Sequence, residues 1–384
     1  MLWQSRLRLS EVMVIIMKLA NSEIRATISP SAGNPRNSEG AFISLDDGRI
    51  AYVFSRYTGT SFDDHAHCSL AVIYSYDHGE SWDAEHPTTV VDASDYGQIN
   101  VMSVSLLPMA NGDIGLFFLL KLQNDGLRSQ YRLRRYRGGF DNLVSDTLCL
   151  PDSLPDYYVV NNDRVARLSC GRIIVPAAHH PSCQKPDEAD VNFTESRSRA
   201  CFFVSDDDGM SWRHTSAKLD LNDSFSRTGL QEPGVCELAD GILYGYFRTD
   251  RMYQYESISP DRGEHWFMPQ PSRFSSPASP MLVKKNPYNG KFYAVWNPIP
   301  EYYGRPKPSG YWIGGRTPLV IASSLDGYNY SEPAIIEDDP TRGFCYPAIH
   351  FIDADRMLLA YCSGGADEGG CLNRVTIRGL TITE

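Results

Sequence analysis

The sequence of 384 residues predicts an all-β protein built from six small antiparallel sheets. Three observations favour this fold: a turn motif recurs along the chain, clusters of short apolar runs lie between its copies, and no long amphipathic helix pattern competes with them. Small antiparallel sheets repeated around an axis form a β-propeller. We therefore expect a six-bladed β-propeller.

The recurring motif reads S-x-D-x-G-x-x-W. Full copies begin at Ser75, Ser205 and Ser259, and a shortened copy begins at Ser324 and ends in Tyr330. In a hairpin turn of this kind the Asp accepts backbone N–H bonds, the Gly adopts a positive φ, and the Trp leaves the turn to pack. The copies begin 130, 54 and 65 residues apart, so one copy is missing from the first interval. A period of about 64 residues divides the chain into six units.

Alternating apolar residues between these turns predict three strands in each unit. The predicted strands are 41–45, 50–56 and 69–75; 101–108, 114–122 and 130–136; 164–168, 172–177 and 200–205; 234–238, 242–248 and 253–259; 281–285, 292–296 and 318–323; and 348–352, 357–361 and 374–382. A run over 23–28 is expected to add an outer strand that closes the ring. We therefore expect an N-terminal extension over 1–22 and one propeller domain over 23–384.

Composition narrows the possible partners. The formal net charge is -11, which disfavours a broad cationic surface for nucleic acid or an anionic membrane. The apolar run over 12–17 is too short for a membrane span, which needs about 20 residues. Nine cysteines without a C-x-x-C pair indicate reduced thiols and a cytoplasmic protein. No cluster of metal ligands stands out, so we expect neither a metal nor a cofactor.

The chain direction of a propeller blade predicts where chemistry lies. The motif turns follow the third strands, so the opposite rim carries the starts of the first strands and the loops between second and third strands. That rim is expected to hold an unusual concentration of ionisable and polar groups. They are Arg36, Glu39, Arg56, Asp63, Asp64, Asn100, Asp163, Glu232, Arg248, Arg316 and Tyr346.

These motifs resemble the sialidase superfamily, whose Asp-box repeat is the turn described above. The resemblance covers the chain from about residue 36 onwards. In that family a Glu precedes an apolar run, a D-G turn and an Arg, and here Glu232 is followed by Asp240-Gly241 and Arg248. A later Arg lies shortly before an Asp box, as Arg316 does in Gly-Gly-Arg-Thr-Pro-Leu.

The resemblance also implies a nucleophile and an acid. The family's nucleophilic Tyr opens the last blade, as Tyr346 does in Gly-Phe-Cys-Tyr-Pro-Ala. Its acid/base Asp lies in the loop before the strand of the first Asp box, which matches Asp64-His65, and Arg56 matches a further site Arg. A sialoside carries a carboxylate at the anomeric carbon, which repels an anionic nucleophile, whereas a tyrosine is neutral until a carboxylate takes its proton.

The implied roles are therefore specific. Tyr346 attacks the sugar, Glu232 is its base, and Asp64 protonates the departing oxygen and later activates water. Arg248 and Arg316 bind the sugar carboxylate through bidentate bonds. The implied activity is that of a retaining exo-glycosidase that releases a terminal sialic acid or a related 2-keto sugar acid from a glycan.

One departure from the family pattern leaves the substrate open. Sialidases carry Arg-Ile-Pro at the start of the first blade, and here Ser38-Glu39-Gly40 occupies that place. Either Arg36 replaces the missing clamp arginine, or Glu39 opposes a bound carboxylate. A sister glycosidase for another terminal sugar follows if Glu39 and Asp163 face the pocket. A non-catalytic carbohydrate-binding propeller is the third possibility. Arg56, Asp63 and Asn100 complete the predicted substrate-binding residues.

Overall fold

The computed structural model describes residues 17–122, 128–150, 156–185, 188–194, 197–299 and 315–383. These residues form 27 strands and two short 3-10 helices, Ala93–Tyr96 and Ala366–Glu368. The first half of the strands are β1 Lys18–Ile28, β2 Arg36–Ser44, β3 Ile50–Tyr57, β4 Cys68–Ser75, β5 Thr88–Val91, β6 Asn100–Pro108, β7 Ile114–Leu122, β8 Arg128–Tyr136, β9 Leu143–Leu148, β10 Tyr157–Val159, β11 Ala166–Arg167, β12 Ile173–His180, β13 Ser182–Lys185 and β14 Glu188–Thr194. The others are β15 Arg199–Ser205, β16 Arg213–Leu219, β17 Gln231–Ala239, β18 Ile242–Arg248, β19 Tyr253–Ser259, β20 Gln270–Ser275, β21 Leu282–Lys285, β22 Phe292–Trp296, β23 Leu319–Ser324, β24 Ala334–Glu337, β25 Cys345–Phe351, β26 Arg356–Cys362 and β27 Val375–Thr383.

The repeating unit is a four-stranded antiparallel sheet. Strands β17–β20 and β21–β24 form two such sheets in chain order. Strands β2–β5 and β6–β9 form two more, which one parallel pair, Cys68 with Asn100, joins into a single eight-stranded sheet. In the next unit β10 and β11 both pair with β12, which continues to β15 and β16. The prediction of an all-β chain of small antiparallel sheets is confirmed.

The beginning of the chain completes the sheet formed by its end. Strand β1 pairs antiparallel with β27, from Lys18 opposite Thr383 to Ile28 opposite Val375, and the sheet continues through β26 to β25. The predicted run over 23–28 is the second half of β1, which begins five residues earlier at Lys18.

The core lies between consecutive sheets. Apolar side chains of β3 and β7, such as Val53 and Phe118, belong to one buried cluster. The last sheet packs on the first in the same way, with Phe54 and Ile377 in another cluster. Within the described part of the chain, no helix has the length and apolar character needed to span a membrane.

The motif turns have the predicted local structure. Asp207 Oδ1 accepts a 2.8 Å hydrogen bond from the backbone N–H of Ser211, and Asp77 and Asp261 make the equivalent bond. Gly79 has a φ of 90° and lies so close to the neighbouring sheet that a Cβ there would be 2.7 Å from Leu358. Glycine is therefore required at this turn both by its positive φ and by the close packing.

A bulge at the start of the first strand recurs in several sheets. The antiparallel register shifts between Gln231 and Gly234 in β17 and between Cys345 and Ala348 in β25, and a similar shift interrupts β2 and β6. In three of these bulges a non-glycine residue has a positive φ: Ser103 in β6, Glu232 in β17 and Tyr346 in β25. A bulge with positive φ turns a side chain away from the usual alternation, so these positions aim side chains at one rim of the sheets.

Candidate functional site

The site is built around a contact between a phenol and a carboxylate. Tyr346 Oη donates a 2.9 Å hydrogen bond to Glu232 Oε1. Both residues lie in the bulges that open their strands, β25 and β17. The Glu232 side chain is 12% exposed, so its carboxylate is largely buried.

Two guanidinium groups flank this pair. Arg248, the last residue of β18, donates from Nη1 to Glu232 Oε1 at 2.7 Å and to Tyr346 Oη at 3.5 Å. The guanidinium carbon of Arg316 lies 5.5 Å from the centroid of the Tyr346 ring. The structure therefore brings together four residues that are far apart in the sequence and that were predicted as nucleophile, base and carboxylate clamp.

The pKa values of Tyr346 and Glu232 are shifted in opposite directions. Burial raises the pKa of Tyr346 well above its ordinary value, and the negative charge of Glu232 raises it further. Burial also raises the pKa of Glu232, but the charges of Arg248 and Arg316 and the Tyr346 hydrogen bond outweigh it, so that pKa is lowered. At neutral pH the site therefore holds a protonated phenol beside an ionised carboxylate, which is the starting state for base-assisted attack.

Arg316 differs from Arg248 in its own partners. Its Nη1 lies 3.2 Å from Cys345 Sγ and 3.8 Å from Cys371 Sγ. Both thiols are free and buried. Among the described residues no carboxylate forms a salt bridge with Arg316, so its charge is available to an anion.

A second group of residues surrounds Asp64. Arg36 Nη1 donates to Asp64 Oδ1 at 2.6 Å, and Lys121 Nζ donates to the Asp64 carbonyl at 2.6 Å. Asn100 Nδ2 donates to the carbonyls of Asp64 and Ala66 at 3.1 and 2.7 Å. Asn100 therefore holds the loop that carries Asp64 in place.

One cavity of about 250 Å³ joins the two groups. Its wall includes the phenol and the carboxylate of the first group, together with Asp64 and three charged residues near it. These six residues are Tyr346, Glu232, Arg36, Glu39, Asp64 and Lys121.

Arg36 lines the cavity and is already paired with other groups. Its Nη1 is used by Asp64 and by the Phe62 carbonyl at 3.2 Å, and its guanidinium stacks over the Tyr57 ring at 4.3 Å. Its Nη2 lies 3.8 Å from Glu39 Oε2. The structure thus pairs Arg36 with the predicted acid, Asp64.

Six of the predicted binding residues are not part of the wall of this cavity: Arg248, Arg316, Arg56, Asp63, Asn100 and Asp163. Asp163 accepts from Lys284 Nζ at 2.6 Å and from the Ile349 N–H at 3.1 Å, and it lines a separate cavity of about 480 Å³. Asp63 accepts from the N–H of His65 at 2.8 Å and shapes the loop, and Arg56 is not part of the cavity wall.

The sequence reasoning missed Lys121. This residue is the penultimate residue of β7, close to the point in the unit at which Arg56 and Arg248 stand in β3 and β18. Its place in the sequence therefore predicts a position at the rim. A search for a cation at the end of the second strand of each unit would have found it. Within the described residues, no group of three or more His, Cys, Asp or Glu side chains is arranged to hold a metal ion.

The sequence profile of the family described as "BNR repeat-like domain" matches residues 149–355, more than half of the chain. A search of curated proteins found no match.

Solved structures share the fold. The Hadza microbial sialidase Hz136 is 15% identical with a TM-score of 0.67, over 91% of this chain and 66% of that chain. A protein of unknown function from Dyadobacter fermentans is 17% identical with a TM-score of 0.68, over 95% and 99% of the two chains. The NanB sialidase from Streptococcus pneumoniae is 14% identical with a TM-score of 0.65, over 94% and 70%. The chain therefore belongs to the BNR repeat-like family and has the propeller-type fold of the sialidases.

Proposed function

We propose that this protein is a retaining exo-glycosidase that releases a terminal sialic acid or a related 2-keto sugar acid from glycans. The observation that carries the proposal is the hydrogen-bonded pair of Tyr346 and Glu232 flanked by Arg248 and Arg316. A phenol is the nucleophile suited to a sugar whose anomeric carbon bears a carboxylate, because it approaches without a negative charge.

The reaction follows from these positions. Glu232 takes the phenolic proton as Tyr346 attacks the anomeric carbon, and Asp64 gives a proton to the departing glycosidic oxygen. In the second step Asp64 takes a proton from water, which attacks the same carbon and releases Tyr346. Two successive displacements return the anomeric configuration of the substrate.

The proposal includes a closed six-bladed ring with one domain from β1 onwards. The first strands of successive sheets contact one another: β2 contacts β6 and β25, and β21 contacts β17 and β25. Six buried apolar clusters each join two sheets, and one of them joins the first sheet to the last. These contacts support a ring in which the loops at the starts of the first strands meet at a common centre.

The size of the cavity supports an exo mode of action. Pockets for drug-sized ligands usually measure about 300 to 1,000 Å³. The cavity of about 250 Å³ at Tyr346 is smaller than that range, which suits one terminal sugar and not an internal segment of a chain.

One observation favours the sister-glycosidase alternative. Glu39 lines the cavity, and its carboxylate accepts from Ser38 Oγ. A carboxylate in that wall can bind sugar hydroxyls and disfavours a bound anion. The second carboxylate that this alternative requires, Asp163, is paired with Lys284 outside the cavity. Because only one of the two carboxylates lines the cavity, we favour an acidic sugar as the substrate.

Hydrolysis of a fluorogenic aryl sialoside tests the proposal, with NMR of the first-formed sugar to read its anomeric configuration. We expect turnover with retention. Turnover of neutral or uronic aryl glycosides without turnover of sialosides would replace the proposal by the sister glycosidase. Saturable glycan binding without turnover of any glycoside would replace it by a binding protein.

A further inference from the structure

A second cavity lies apart from the proposed reaction centre. It measures about 480 Å³, and no residue of its wall belongs to the wall of the cavity at Tyr346. Tyr346 and Glu232 stand at the starts of β25 and β17. The wall of the second cavity comes from the second halves of first strands, with Leu107 in β6, Glu237 in β17 and Lys285 in β21. The two cavities therefore lie towards opposite ends of these strands.

The wall of the second cavity contains a buried guanidinium. Arg164 lines the cavity and is 2% exposed. Its Nη2 donates to the Met281 carbonyl at 2.5 Å, its Nη1 lies 3.4 Å from Tyr246 Oη, and its guanidinium carbon lies 5.3 Å from the centroid of the Tyr246 ring. The Nε–H is buried and has no hydrogen-bond partner among the described residues. An arginine has five N–H donors, so this side chain keeps donors for a ligand.

No carboxylate balances the charge of Arg164. In the described part of the chain no Asp or Glu forms a salt bridge or a hydrogen bond with it. Asp163, the buried carboxylate of the same wall, is occupied by Lys284 Nζ at 2.6 Å and by the Ile349 N–H at 3.1 Å. A buried charge without an opposite charge lowers stability, so a bound anion would relieve that cost.

The other charged groups of the wall have their own partners. Arg167 pairs with Asp208 at 2.7 Å, and Asp240 pairs with Arg262 at 3.3 Å. Glu237 accepts two backbone N–H bonds, at 2.6 and 3.0 Å. The wall holds four cationic and three anionic side chains, which leaves a formal charge of +1: Arg164, Arg167, Lys284 and Lys285 against Asp163, Glu237 and Asp240.

These charges select an anion with one negative charge. A carboxylate suits a guanidinium, because its two oxygens accept parallel N–H bonds. An anion with two charges also meets Asp163 and Glu237 in the same wall. The buried side chains of Leu106, Val235 and Val283 line the cavity and suit an apolar body. The volume lies within the range of about 300 to 1,000 Å³ that is usual for small-molecule sites.

We infer that the second cavity binds a small monocarboxylate with an apolar body, and that Arg164 holds its carboxylate. This site goes beyond the proposed glycosidase reaction, because none of its wall residues takes part in that reaction. The readout of the test is binding, so a failure of the proposed function leaves the inference standing.

Methyl NMR distinguishes the two cavities without any variant. The full chain with isotope-labelled Leu and Val methyl groups is titrated with 2-naphthoate. The methyl signals of Leu106, Val235 and Val283, assigned by conservative substitutions, should shift together and saturate with a Kd of about 1 mM or lower. The Leu119 signals report on the cavity at Tyr346. The neutral 2-naphthamide, which has the same shape, should bind at least about tenfold more weakly.

Two variants test the guanidinium itself. Arg164→Met should remove the shifts at Val235 and Val283. Arg167→Met, the matched change in the same wall, should keep them, because Arg167 is already paired with Asp208. Thermal unfolding checks that each variant is folded, and the titration of the parent stands by itself if Arg164→Met is not.

The outcomes decide the inference. Shifts at Val235 and Val283 that depend on the charge of the ligand and on Arg164 support it. Shifts confined to Leu119, or no shift at any of these signals, overturn the site. Equal affinity for 2-naphthamide overturns the role of Arg164, and equal affinity for inorganic phosphate overturns the assignment to a carboxylate with an apolar body.

Discussion

Tyr346 donates a 2.9 Å hydrogen bond to Glu232 across 114 residues of sequence, and both residues have a positive φ, 56° and 45°. A non-glycine residue in that conformation carries backbone strain of order 1–3 kcal/mol. Each lies in a bulge at the start of a first strand, so the strained backbone occurs at the same kind of bulge in two sheets. The bulges place a protonated phenol against an ionised carboxylate at the edge of one cavity.

Replacing Tyr346 by Phe should lower kcat by about a thousand-fold or more, equivalent to about 4 kcal/mol, because the attacking oxygen is lost. Steady-state hydrolysis of an aryl sialoside checks this, and the melting temperature should change little. Tyr288→Phe, at an exposed residue in the loop between β21 and β22, is the matched control and should retain full turnover. Turnover by Tyr346→Phe within tenfold of the parent would contradict the assigned nucleophile.

The acid limb of the pH profile should depend on Arg248. The folded-state pKa of Glu232 is lowered from 4.5, so its base form, and the stability of its ion pair, persist at neutral pH and are lost as the pH falls through that lowered value. In Arg248→Met the effect of burial is opposed less, so the pKa of Glu232 should rise. The acid limb of kcat/KM should then move to higher pH.

The measurement is kcat/KM for one sialoside from about pH 4 to about pH 8, in which the position of the limb is the readout and not the absolute rate. Arg262→Met removes a surface arginine that pairs with Asp240 at 3.3 Å, and it should leave the limb in place. An unchanged limb in Arg248→Met would show that Glu232 does not control it.

Glu39→Gln should strengthen the binding of an anionic sugar by about tenfold, because it removes one negative charge from the cavity wall and leaves Arg36 with one carboxylate fewer. Inhibition constants for N-acetylneuraminic acid and its methyl ester give the comparison, and the ester should be affected much less. Glu332→Gln, at an exposed position before β24, is the control. Equal effects on acid and ester would mean that Glu39 acts through sugar hydroxyls, as in the sister-glycosidase alternative.

The contact between the first and last sheets is testable through two glycines of similar backbone conformation. Gly79 and Gly112 have φ values of 90° and 84°, but a Cβ on Gly79 meets Leu358 at 2.7 Å, whereas nothing lies within 4 Å of one on Gly112. Gly112→Ala should cost about 1 kcal/mol through backbone strain. Gly79→Ala should cost about 1–3 kcal/mol more through overpacking.

Urea unfolding of both variants measures the difference in the free energy of unfolding. The activity of each folded variant should be close to that of the parent, because Gly79 follows the end of β4 and Gly112 lies between the end of β6 and the start of β7, both at the opposite strand ends from Tyr346. Equal destabilisation of the two variants would mean that the turn after β4 does not pack tightly on the last sheet.

The parts of the fold that the sequence predicted are those with local causes. The motif turns depend on the Asp and Gly of one short segment, so the bond from Ser211 to Asp207 was predictable without knowledge of the rest of the chain. Apart from β1, which the run over 23–28 predicted, the outer strands were not predicted. Strand β16, for example, alternates weakly and is mostly exposed, so its sequence lacks the apolar run that marks an inner strand.

The residues of the site likewise divide into those that the sequence predicted and those whose direction depends on distant contacts. Tyr346, Glu232, Arg248 and Arg316 were predicted from their order along the chain and from resemblance, and their contacts now support the grouping. Asp163 had an equivalent place in its unit, but a partner 121 residues away, Lys284, sets its direction. The position of a residue near the rim can be read from the sequence, whereas the direction of the Asp163 side chain depends on a charged partner that is distant in the sequence.

The most direct test of the central claim is to trap the glycosyl enzyme. A sialosyl fluoride that carries a second fluorine beside the anomeric carbon slows the release step, and peptide mass spectrometry then locates the sugar. We expect one sugar per chain on the Tyr346 phenol and none on Tyr346→Phe. A sugar attached to Glu232 or another carboxylate, or hydrolysis of the parent sialoside without any trapped adduct, would contradict it.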